Sequence, residues 1–229
     1  MDAIILAGGE GSRLRPLTND RPKPMVEVNG KPILLHQIEI LKNHGIDHFV
    51  IACHYRWGAI KNFFGDGRNY GIRITYCVEE KPLGRGGAIK EAYRYVADTT
   101  APVVATNGDN LFDVDVTKLL EHHRNMGKPV TITLVPLKSQ YGIVEVEGDT
   151  VKAFREKIIL PHWINAGVYA LDKEALESFP TVGDQENSTF PEFAKRGKIA
   201  AYLHKGFWKG IDNAKDLSEA EEFLANSIS

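Results

Sequence analysis

Near its N-terminus the chain passes from a short apolar run directly into a glycine-rich loop. Residues 3–7 read Ala-Ile-Ile-Leu-Ala, and Gly8, Gly9 and Gly11 follow within four positions. β-Branched apolar residues favour a buried strand, and clustered glycines let backbone N–H groups converge on a bound anion without side chains in the way. The pattern predicts a core strand that opens into a phosphate-binding loop.

Positive charge lies beside this loop. Arg13 follows it, and Lys23 stands between two prolines that stiffen the segment and fix where the ammonium points. The loop lacks the glycine-lysine-serine/threonine ending of a Walker A loop, and Leu14 stands where a dinucleotide fingerprint needs its third glycine. The alternative is an ordinary glycine-rich turn between a strand and a helix, and the neighbouring cations argue against it.

Apolar periodicity predicts alternating strands and helices in the first half of the chain. The predicted strands are 3–7, 49–53, 72–78 and 103–106, and the predicted helices are 33–44, 57–64 and 87–96. This order indicates an α/β fold, a Rossmann-like, doubly wound, mixed but mostly parallel sheet. Residues 130–136, 143–146 and 168–171 are richer in strands and turns, which suggests a small antiparallel extension, and 218–224 predicts a short amphipathic helix.

Polar residues fall at the ends of several predicted strands. The segments concerned are 8–13, 79–87, 107–110 and 164–167. In an open α/β sheet, ligands bind beyond the carboxyl ends of the strands. Asp109 follows a short apolar strand there, and its hard carboxylate oxygens suit Mg²⁺, which takes its remaining ligands from water and substrate phosphates. The alternative for Asp109 is a plain turn aspartate.

Composition limits the classes of partner. The 229 residues carry a net charge of −2, which gives no basic field for a nucleic-acid partner. No signal peptide or apolar run of membrane-spanning length occurs, so no membrane partner and a cytoplasmic location are expected. Cys53 and Cys77 lie in apolar, strand-like stretches and are expected to be buried, reduced thiols.

The motifs together resemble a known family. Residues 6–18, followed by Pro22-Lys23-Pro24-Met25 and by Gly30-Lys31-Pro32-Ile33, are similar to the opening of the sugar-1-phosphate nucleotidyltransferases, also called nucleotide-sugar pyrophosphorylases. The resemblance implies one nucleotidyltransferase domain over residues 1–229, without the C-terminal β-helix domain of some members. It implies a nucleoside triphosphate and a sugar-1-phosphate as substrates, with Mg²⁺ as cofactor, and it leaves a homo-oligomer open.

The resemblance also implies roles for individual residues. Arg13 and Lys23 would be catalytic, and Asp109 would be a metal ligand. Gly210 stands where many mannose-1-phosphate members have the second aspartate, whereas Asp212 matches the aspartate of glucose-1-phosphate cytidylyltransferases and is the expected second ligand. The alternative role for Asp212 is to cap the following helix, and Asp216 is expected to matter little. The expected nucleotide contacts are Leu6, Ala7, Gly8, Gly9, Gly11, Ser12, Arg13, Glu79, Gly84, Asn107 and Asp109.

The sugar-phosphate contacts implied by the resemblance are Gly142, Glu156, Lys157 and Asn165. Lys157 matches the family's Glu-Lys-Pro element, although Ile158 replaces the proline and a solvated charge cluster is the alternative. Gly142 and Asn165 could also be turn residues.

Substrate preference is a mosaic in the sequence. Residues 31–37 and 164–167 resemble GDP-mannose pyrophosphorylases, and residues 79–90 resemble heptose-1-phosphate guanylyltransferases. The segment around Asp212 resembles cytidylyltransferases.

Gly84 resembles the family's base-contacting glycine, and this resemblance implies that the Glu79 side chain contacts the base edge. Because a carboxylate only accepts hydrogen bonds, its two oxygens should pair with guanine N1–H and N2–H. GTP is therefore expected before UTP, with CTP last. Uridylyl or cytidylyl transfer remains an alternative. A second alternative is a catalytically inactive regulatory paralogue that binds nucleotide-sugars. Gly210 favours this second alternative, and four charged residues argue against it: Arg13, Lys23, Asp109 and Lys157.

Overall fold

The computed structural model describes residues 1–227. Its strands are β1 (Asp2–Ala7), β2 (Glu27–Val28), β3 (Lys31–Pro32), β4 (His48–Cys53), β5 (Arg73–Val78), β6 (Val103–Asn107), β7 (Asn110–Phe112), β8 (Val130–Lys138), β9 (Ile143–Glu147), β10 (Thr150–Arg155), β11 (Ile159–Leu171), β12 (Ile199–Leu203) and β13 (Trp208–Gly210). Its α-helices are α1 (Ile33–Asn43), α2 (Trp57–Phe64), α3 (Gly84–Tyr93), α4 (Val116–Met126), α5 (Lys173–Ser178), α6 (Thr189–Lys195) and α7 (Ala214–Ser227).

Seven strands form one central sheet in the order β12-β8-β11-β6-β1-β4-β5. Strand β1 pairs parallel with β4 and β6, β4 pairs parallel with β5, and β12 pairs parallel with β8. Strand β11 runs antiparallel to both of its neighbours, β6 and β8. The mixed, mostly parallel α/β sheet predicted from the sequence is confirmed, and the carboxyl ends of β1, β5 and β6 meet at one edge.

Helices cover both faces of the sheet. Successive side chains of β1 point to opposite faces and therefore pack against different helices. Ala3 and Ile5 pack in a buried cluster with residues of α1, α2 and α4. Ile4 packs in a second cluster with residues of α3, α5 and α6. A third, smaller cluster joins Leu14 to Ile211 and Ala220 near the C-terminal helix. This third cluster brings the phosphate-loop segment and the C-terminal segment together.

The predicted antiparallel extension is confirmed, and it is divided between two sheets. Residues 130–136 and 168–171 belong to the central sheet, as parts of β8 and β11. Residues 143–146 lie in β9, which forms a separate hairpin with β10 in which Val144 lies opposite Phe154. The extension therefore consists of this hairpin beside the outer halves of β8 and β11. Strand periodicity shows that a segment is a strand but not which neighbour it pairs with, so the sequence could not separate the two cases.

Helix α3 begins three residues earlier than predicted, at Gly84 rather than Gly87. Glycine is unfavourable in helices, which argued against extending the helix through residues 84–87. The structure gives the reason for these glycines: a Cβ on Gly86 would lie 2.8 Å from the backbone N of Gln185, and one on Gly87 would lie 2.6 Å from the carbonyl O of Thr181. Close packing against residues 180–185 therefore takes precedence over helix propensity.

Cys53 and Cys77 are free and buried, as expected. Burial raises the pKa of the Cys53 thiol to about 12 and that of Cys77 to about 11. None of the helices within residues 1–227 combines the length and the apolar character that a membrane crossing requires.

Candidate functional site

A cavity of about 360 Å³ opens at the carboxyl edge of the sheet, beside the ends of β1, β5 and β6. Of the predicted site residues, it is lined by Leu6, Gly8, Gly9, Lys23, Glu79, Gly84, Asn107 and Asp109. It is also lined by Pro24, His54, Pro82, Arg85, Ala88 and Asp184, which the sequence analysis did not assign. Buried Asn107 Oδ1 has no hydrogen-bond partner in the described chain, so a ligand donor could satisfy it.

Four predicted nucleotide contacts do not line this cavity. Ala7 is buried in the core cluster on one face of the sheet. Gly11 has a φ of +65°, and a Cβ there would lie 2.8 Å from Lys23 Cβ, so its place in the fold is to let the loop pass close to Lys23. Ser12 and Arg13 lie in a short 3₁₀ turn, with the Arg13 side chain largely exposed beside Asp212.

Lys23 lies between two carboxylates. Its Nζ donates to Asp109 Oδ2 at 2.7 Å and to Asp212 Oδ1 at 2.6 Å, and its side chain is only 10% exposed. Arg13 Nη2 donates to the same Asp212 Oδ1 at 2.9 Å. The burial of Asp212 acts to raise its pKa, but the hydrogen bond from Lys23 and the charges of Lys23, Arg13 and Lys209 outweigh that effect and lower it. The carboxylate of Asp212 is therefore ionised at neutral pH.

Backbone pairing places Asp212 beside Asp109. Strand β13 pairs antiparallel with β7, with Gly210 opposite Asn110. Just beyond, the N–H of Ile211 donates to the carbonyl O of Asp109 at 3.0 Å. The Gly210 backbone therefore faces Asn110, while the chain delivers the carboxylate two residues later.

Asp212 does not cap the helix that follows it, because Asn213 does so. Asn213 Oδ1 accepts from the N–H groups of Lys215 and Asp216, which is the usual N-cap contact of a helix. The Asp212 carboxylate instead accepts hydrogen bonds from Lys23 and Arg13.

The Lys23 ammonium marks a position where two carboxylates converge on one positive charge. This geometry fits Mg²⁺, which is commonly held by one or two protein carboxylates while water and phosphate oxygens complete its shell. No cluster of three or more His, Cys, Asp or Glu side chains suited to a metal occurs in the described part of the chain. The donor set of Asp109 and Asp212 therefore suits a metal that arrives with phosphate ligands, rather than one that the protein alone encloses.

Glu79 is buried where β5 ends, and its backbone carbonyl accepts from His54 Nδ1 at 2.8 Å. Its Oε2 accepts the N–H of Leu83 at 2.8 Å, while Oε1 lies beside Gly8. Burial raises the pKa of this carboxyl, and the hydrogen bond from Leu83 acts against that rise. The expectation that both oxygens are free to face a base needs correction, because Oε2 already holds the loop that leads into α3.

The predicted sugar-phosphate residues lie toward the β9–β10 hairpin. Lys157 has a positive φ of 53° and lines a second cavity of about 470 Å³ together with Tyr141 and Trp208. A Cβ on Gly142 would lie 2.4 Å from the Phe154 ring and 3.0 Å from Glu156 Oε1, so Gly142 and Glu156 are close neighbours.

Asn165 uses both ends of its amide inside the protein. Its Nδ2 donates to the Tyr169 hydroxyl at 2.8 Å, and its Oδ1 accepts from Gly167 N at 2.9 Å. Asn165 thus stabilises the part of β11 where the pairing with β8 shifts register, between Asn165 and Tyr169. Its role as a sugar contact stays a prediction.

Sequence reasoning missed Arg85 and Asp184. Arg85 donates to Asp184 through its backbone N at 2.9 Å and through Nη2 at 3.1 Å. The two residues lie 99 positions apart in the chain. Arg85 lies within residues 79–87, a segment at the end of a predicted strand, but the sequence around Asp184 does not indicate this pairing.

Comparison with known proteins now identifies the family. Residues 2–227 match the family described as Nucleotidyl transferase. The chain belongs to this family. It is 36% identical over 230 residues to the mannose-1-phosphate guanyltransferase of Pichia angusta, with 94% of this chain and 62% of the relative covered. It is 31% identical over 244 residues to a probable glucose-1-phosphate cytidylyltransferase of Bacillus subtilis (strain 168), with 97% and 95% covered.

The structural comparison agrees. The crystal structure of HddC from Yersinia pseudotuberculosis complexed with GMP-PN superimposes with a TM-score of 0.77 at 28% identity, and 97% of this chain and 99% of HddC are covered. The family expected from the motifs is thus confirmed. The chain spans about three fifths of the Pichia guanyltransferase but nearly the whole of the Bacillus cytidylyltransferase and of HddC.

Proposed function

We propose that the protein transfers a nucleotidyl group from a nucleoside triphosphate to a sugar-1-phosphate, giving a nucleotide-sugar and pyrophosphate. The observation that carries the proposal is the placement of Lys23 between Asp109 and Asp212, with Arg13 also bonded to Asp212. Lys23 and Asp109 line the cavity. Family membership supports the same reaction class. A pure binding protein has no need of two carboxylates and two cations gathered from three parts of the chain.

The reaction needs no protein nucleophile. A phosphate oxygen of the sugar-1-phosphate attacks the α-phosphorus of the triphosphate in line, a new P–O bond forms, and pyrophosphate leaves with the electron pair of the broken bond. The transition state spreads negative charge over phosphoryl oxygens, which Lys23 and Arg13 stabilise by charge-assisted hydrogen bonds. The backbone of Gly8 and Gly9 allows the phosphates to approach closely.

Asp109 and Asp212 are the residues that would hold Mg²⁺. The ion supplies charge neutralisation and alignment of the phosphate oxygens when it is bound. Lys23 pairs with both carboxylates and Arg13 pairs with Asp212. A bound triphosphate would offer both cations further anionic partners. Gly142, Glu156, Lys157 and Asn165 form the sugar-phosphate end in this proposal.

We propose guanine as the preferred base. The Pichia relative is a guanyltransferase and HddC was crystallised with GMP-PN, which supports this choice. Glu79 Oε1 offers an acceptor beside Gly8, which guanine N–H groups can use and the cytosine ring nitrogen cannot. The Bacillus relative supports cytidylyl transfer as the second candidate. The proposal treats residues 1–229 as one catalytic unit in the cytoplasm, where the two buried thiols would stay reduced.

A substrate panel tests the function. Pyrophosphate release is measured with GTP, UTP, CTP and ATP, each combined with mannose-, glucose- and heptose-1-phosphate, and the product is identified by its mass. We expect turnover with GTP and at least one of these sugars in the presence of Mg²⁺. Asp109→Ala should remove most of that turnover without unfolding the protein, since the Asp109 side chain is about a third exposed.

The opposite results are equally clear. Binding of a nucleotide without turnover of any pair would favour a regulatory binding protein. Turnover of CTP with higher kcat/KM than GTP would replace guanylyl by cytidylyl transfer. Activity of Asp109→Ala within a few-fold of wild type would remove Asp109 from the site.

A further inference from the structure

Asp216 makes contacts that its position in the sequence did not suggest. It lies in the first turn of α7, and its side chain is only 14% exposed. Its Oδ2 accepts the backbone N–H of Asp212 at 3.0 Å and that of Asn213 at 3.2 Å. One carboxylate oxygen therefore holds both residues of the turn that carries the Asp212 side chain.

The other oxygen of Asp216 connects the same turn to a strand. Its Oδ1 pairs with Lys209 Nζ at 2.7 Å, and Lys209 also donates to Glu219 Oε2 at 2.7 Å. Lys209 lies in β13 opposite Leu111 of β7, the strand that begins directly after Asp109. Asp216 thus connects the turn that carries Asp212 to strand β13, which pairs with the strand that follows Asp109.

Part of this arrangement is ordinary helix capping. Asn213 as N-cap and Asp216 three residues later form a capping box, in which each side chain accepts the other's backbone N–H. A capping box does not require the bond to Asp212, which precedes the cap residue. That additional bond fixes the peptide from which the Asp212 carboxylate projects toward Lys23.

We propose that Asp216 is a positioning residue for the reaction: it fixes the backbone of Asp212 so that the Asp212 carboxylate meets Lys23 and, in the loaded enzyme, the metal. The inference rests on the proposed function for its kinetic consequences. Its physical basis is that reacting groups must be held to within about 0.5 Å, and that losing a partner of a ligating residue typically costs about 10- to 100-fold in activity or metal affinity.

The test compares Asp216→Ala with Asp216→Asn. The alanine variant loses both acceptors, and we expect kcat to fall about tenfold or more and the Mg²⁺ concentration for half-maximal rate to rise about tenfold. The asparagine variant loses the ion pair with Lys209 but keeps one side-chain oxygen for the N–H groups of Asp212 and Asn213. Because the proposal assigns the positioning to those two backbone bonds, we expect this variant to stay within about threefold of wild type. All rates are measured well below the unfolding midpoint of each variant.

Asp115→Ala is the matched control. Asp115 is the N-cap residue of α4: it accepts the N–H of Lys118 at 3.0 Å and pairs with Lys118 Nζ and His44. This variant therefore loses a helix-capping carboxylate whose described contacts include neither Asp109 nor Asp212. It should unfold at lower temperature and keep the wild-type Mg²⁺ dependence. If Asp216→Ala shows only that behaviour, Asp216 is a helix cap and the proposal is wrong. A loss in Asp216→Asn equal to that in Asp216→Ala would also overturn it.

A second measurement does not depend on turnover. Binding of Mn²⁺ is followed by electron paramagnetic resonance in the presence of a non-hydrolysable GTP analogue and without sugar phosphate. We expect Asp216→Ala to weaken Mn²⁺ binding about tenfold and Asp115→Ala to leave it unchanged. Unchanged binding in Asp216→Ala would contradict the proposal. If wild-type protein turns over no substrate pair, the proposed function fails while this binding measurement still decides the role of Asp216.

Discussion

At the scale of single residues, Glu79 is the side chain on which base preference depends in our proposal. With Oε2 occupied by Leu83 N–H, only Oε1 is unengaged, and it accepts but does not donate while the carboxyl is ionised. Glu79→Gln places an amide in the same volume, which can also donate. We expect the ratio of kcat/KM for GTP over CTP to fall by about 5- to 150-fold, the equivalent of about 1–3 kcal/mol for a mismatched buried hydrogen bond.

Glu80→Gln is the control for this change, because Glu80 is the exposed neighbour of Glu79. The pH dependence has a definite sign. Because burial raises the pKa of Glu79, protonation begins at a higher pH than for an ordinary glutamate, and the preference for GTP should decrease as the pH falls through that raised value. An unchanged ranking of triphosphates in Glu79→Gln would assign base recognition to backbone groups near Gly8 and Gly84.

At the scale of elements, the glycines of α3 make a prediction about stability. A Cβ on Gly87 would meet the Thr181 carbonyl at 2.6 Å, and a backbone atom cannot swing away as a side chain would. Alanine gains about 1 kcal/mol over glycine from helix propensity. We expect Gly87→Ala nevertheless to lower the free energy of unfolding by about 1–3 kcal/mol, the usual cost of overpacking. Urea denaturation measures this.

Gly58 in α2 provides the matched comparison, since nothing lies within 4 Å of a Cβ placed there. Gly58→Ala should leave stability unchanged or raise it by up to about 1 kcal/mol, because only propensity and unfolded-state entropy act. Equal destabilisation of both variants would mean that packing against residues 180–185 is not what keeps glycine in α3.

The same elements show what the sequence could and could not predict. Strands β1, β4, β5 and β6 and helices α1 and α2 followed from apolar periodicity, because each buries a regular face. The start of α3 was misplaced because its glycines are explained only by residues almost 100 positions away. The sequence predicts no element for the helices α4, α5 and α6 or for the strands β2, β3, β7, β10, β12 and β13. Asp212 is indicated by its motif. The spacing of Asn213 and Asp216 is typical of a capping box, but that pattern does not indicate the bond from Asp212 N–H to Asp216, because Asp212 precedes the cap residue.

At the scale of the whole molecule, the site exists only when distant parts of the chain meet. Arg13 and Asp212 are 199 positions apart, and Lys23 and Asp109 are 86 apart. Such contacts form only when the intervening chain is folded. Binding of a nucleotide across the ends of β1, β5 and β6 should therefore stabilise the native state as a whole and not only its own loops.

The buried thiols allow this coupling to be measured. Cys53 and Cys77 lie in β4 and β5, are fully or almost fully buried, and have raised pKa values, so a thiol reagent such as dithionitrobenzoate should react only after the sheet opens. The N–H of Glu79 donates to the carbonyl of Cys53, so opening these strands also dismantles the wall of the nucleotide cavity. With Mg²⁺ and GTP at 100 times its Kd, we expect labelling to slow about 100-fold, as mass action requires for a ligand that binds only the closed state. CTP at the same concentration should protect less, because its weaker binding suppresses opening less.

Labelling that is equally fast with and without nucleotide would have one of two causes. Either the thiols are exposed by a local opening that leaves the cavity intact, or the nucleotide binds elsewhere. Labelling each cysteine separately in the Cys53→Ala and Cys77→Ala variants distinguishes the two causes, because a local opening would expose one thiol much faster than the other.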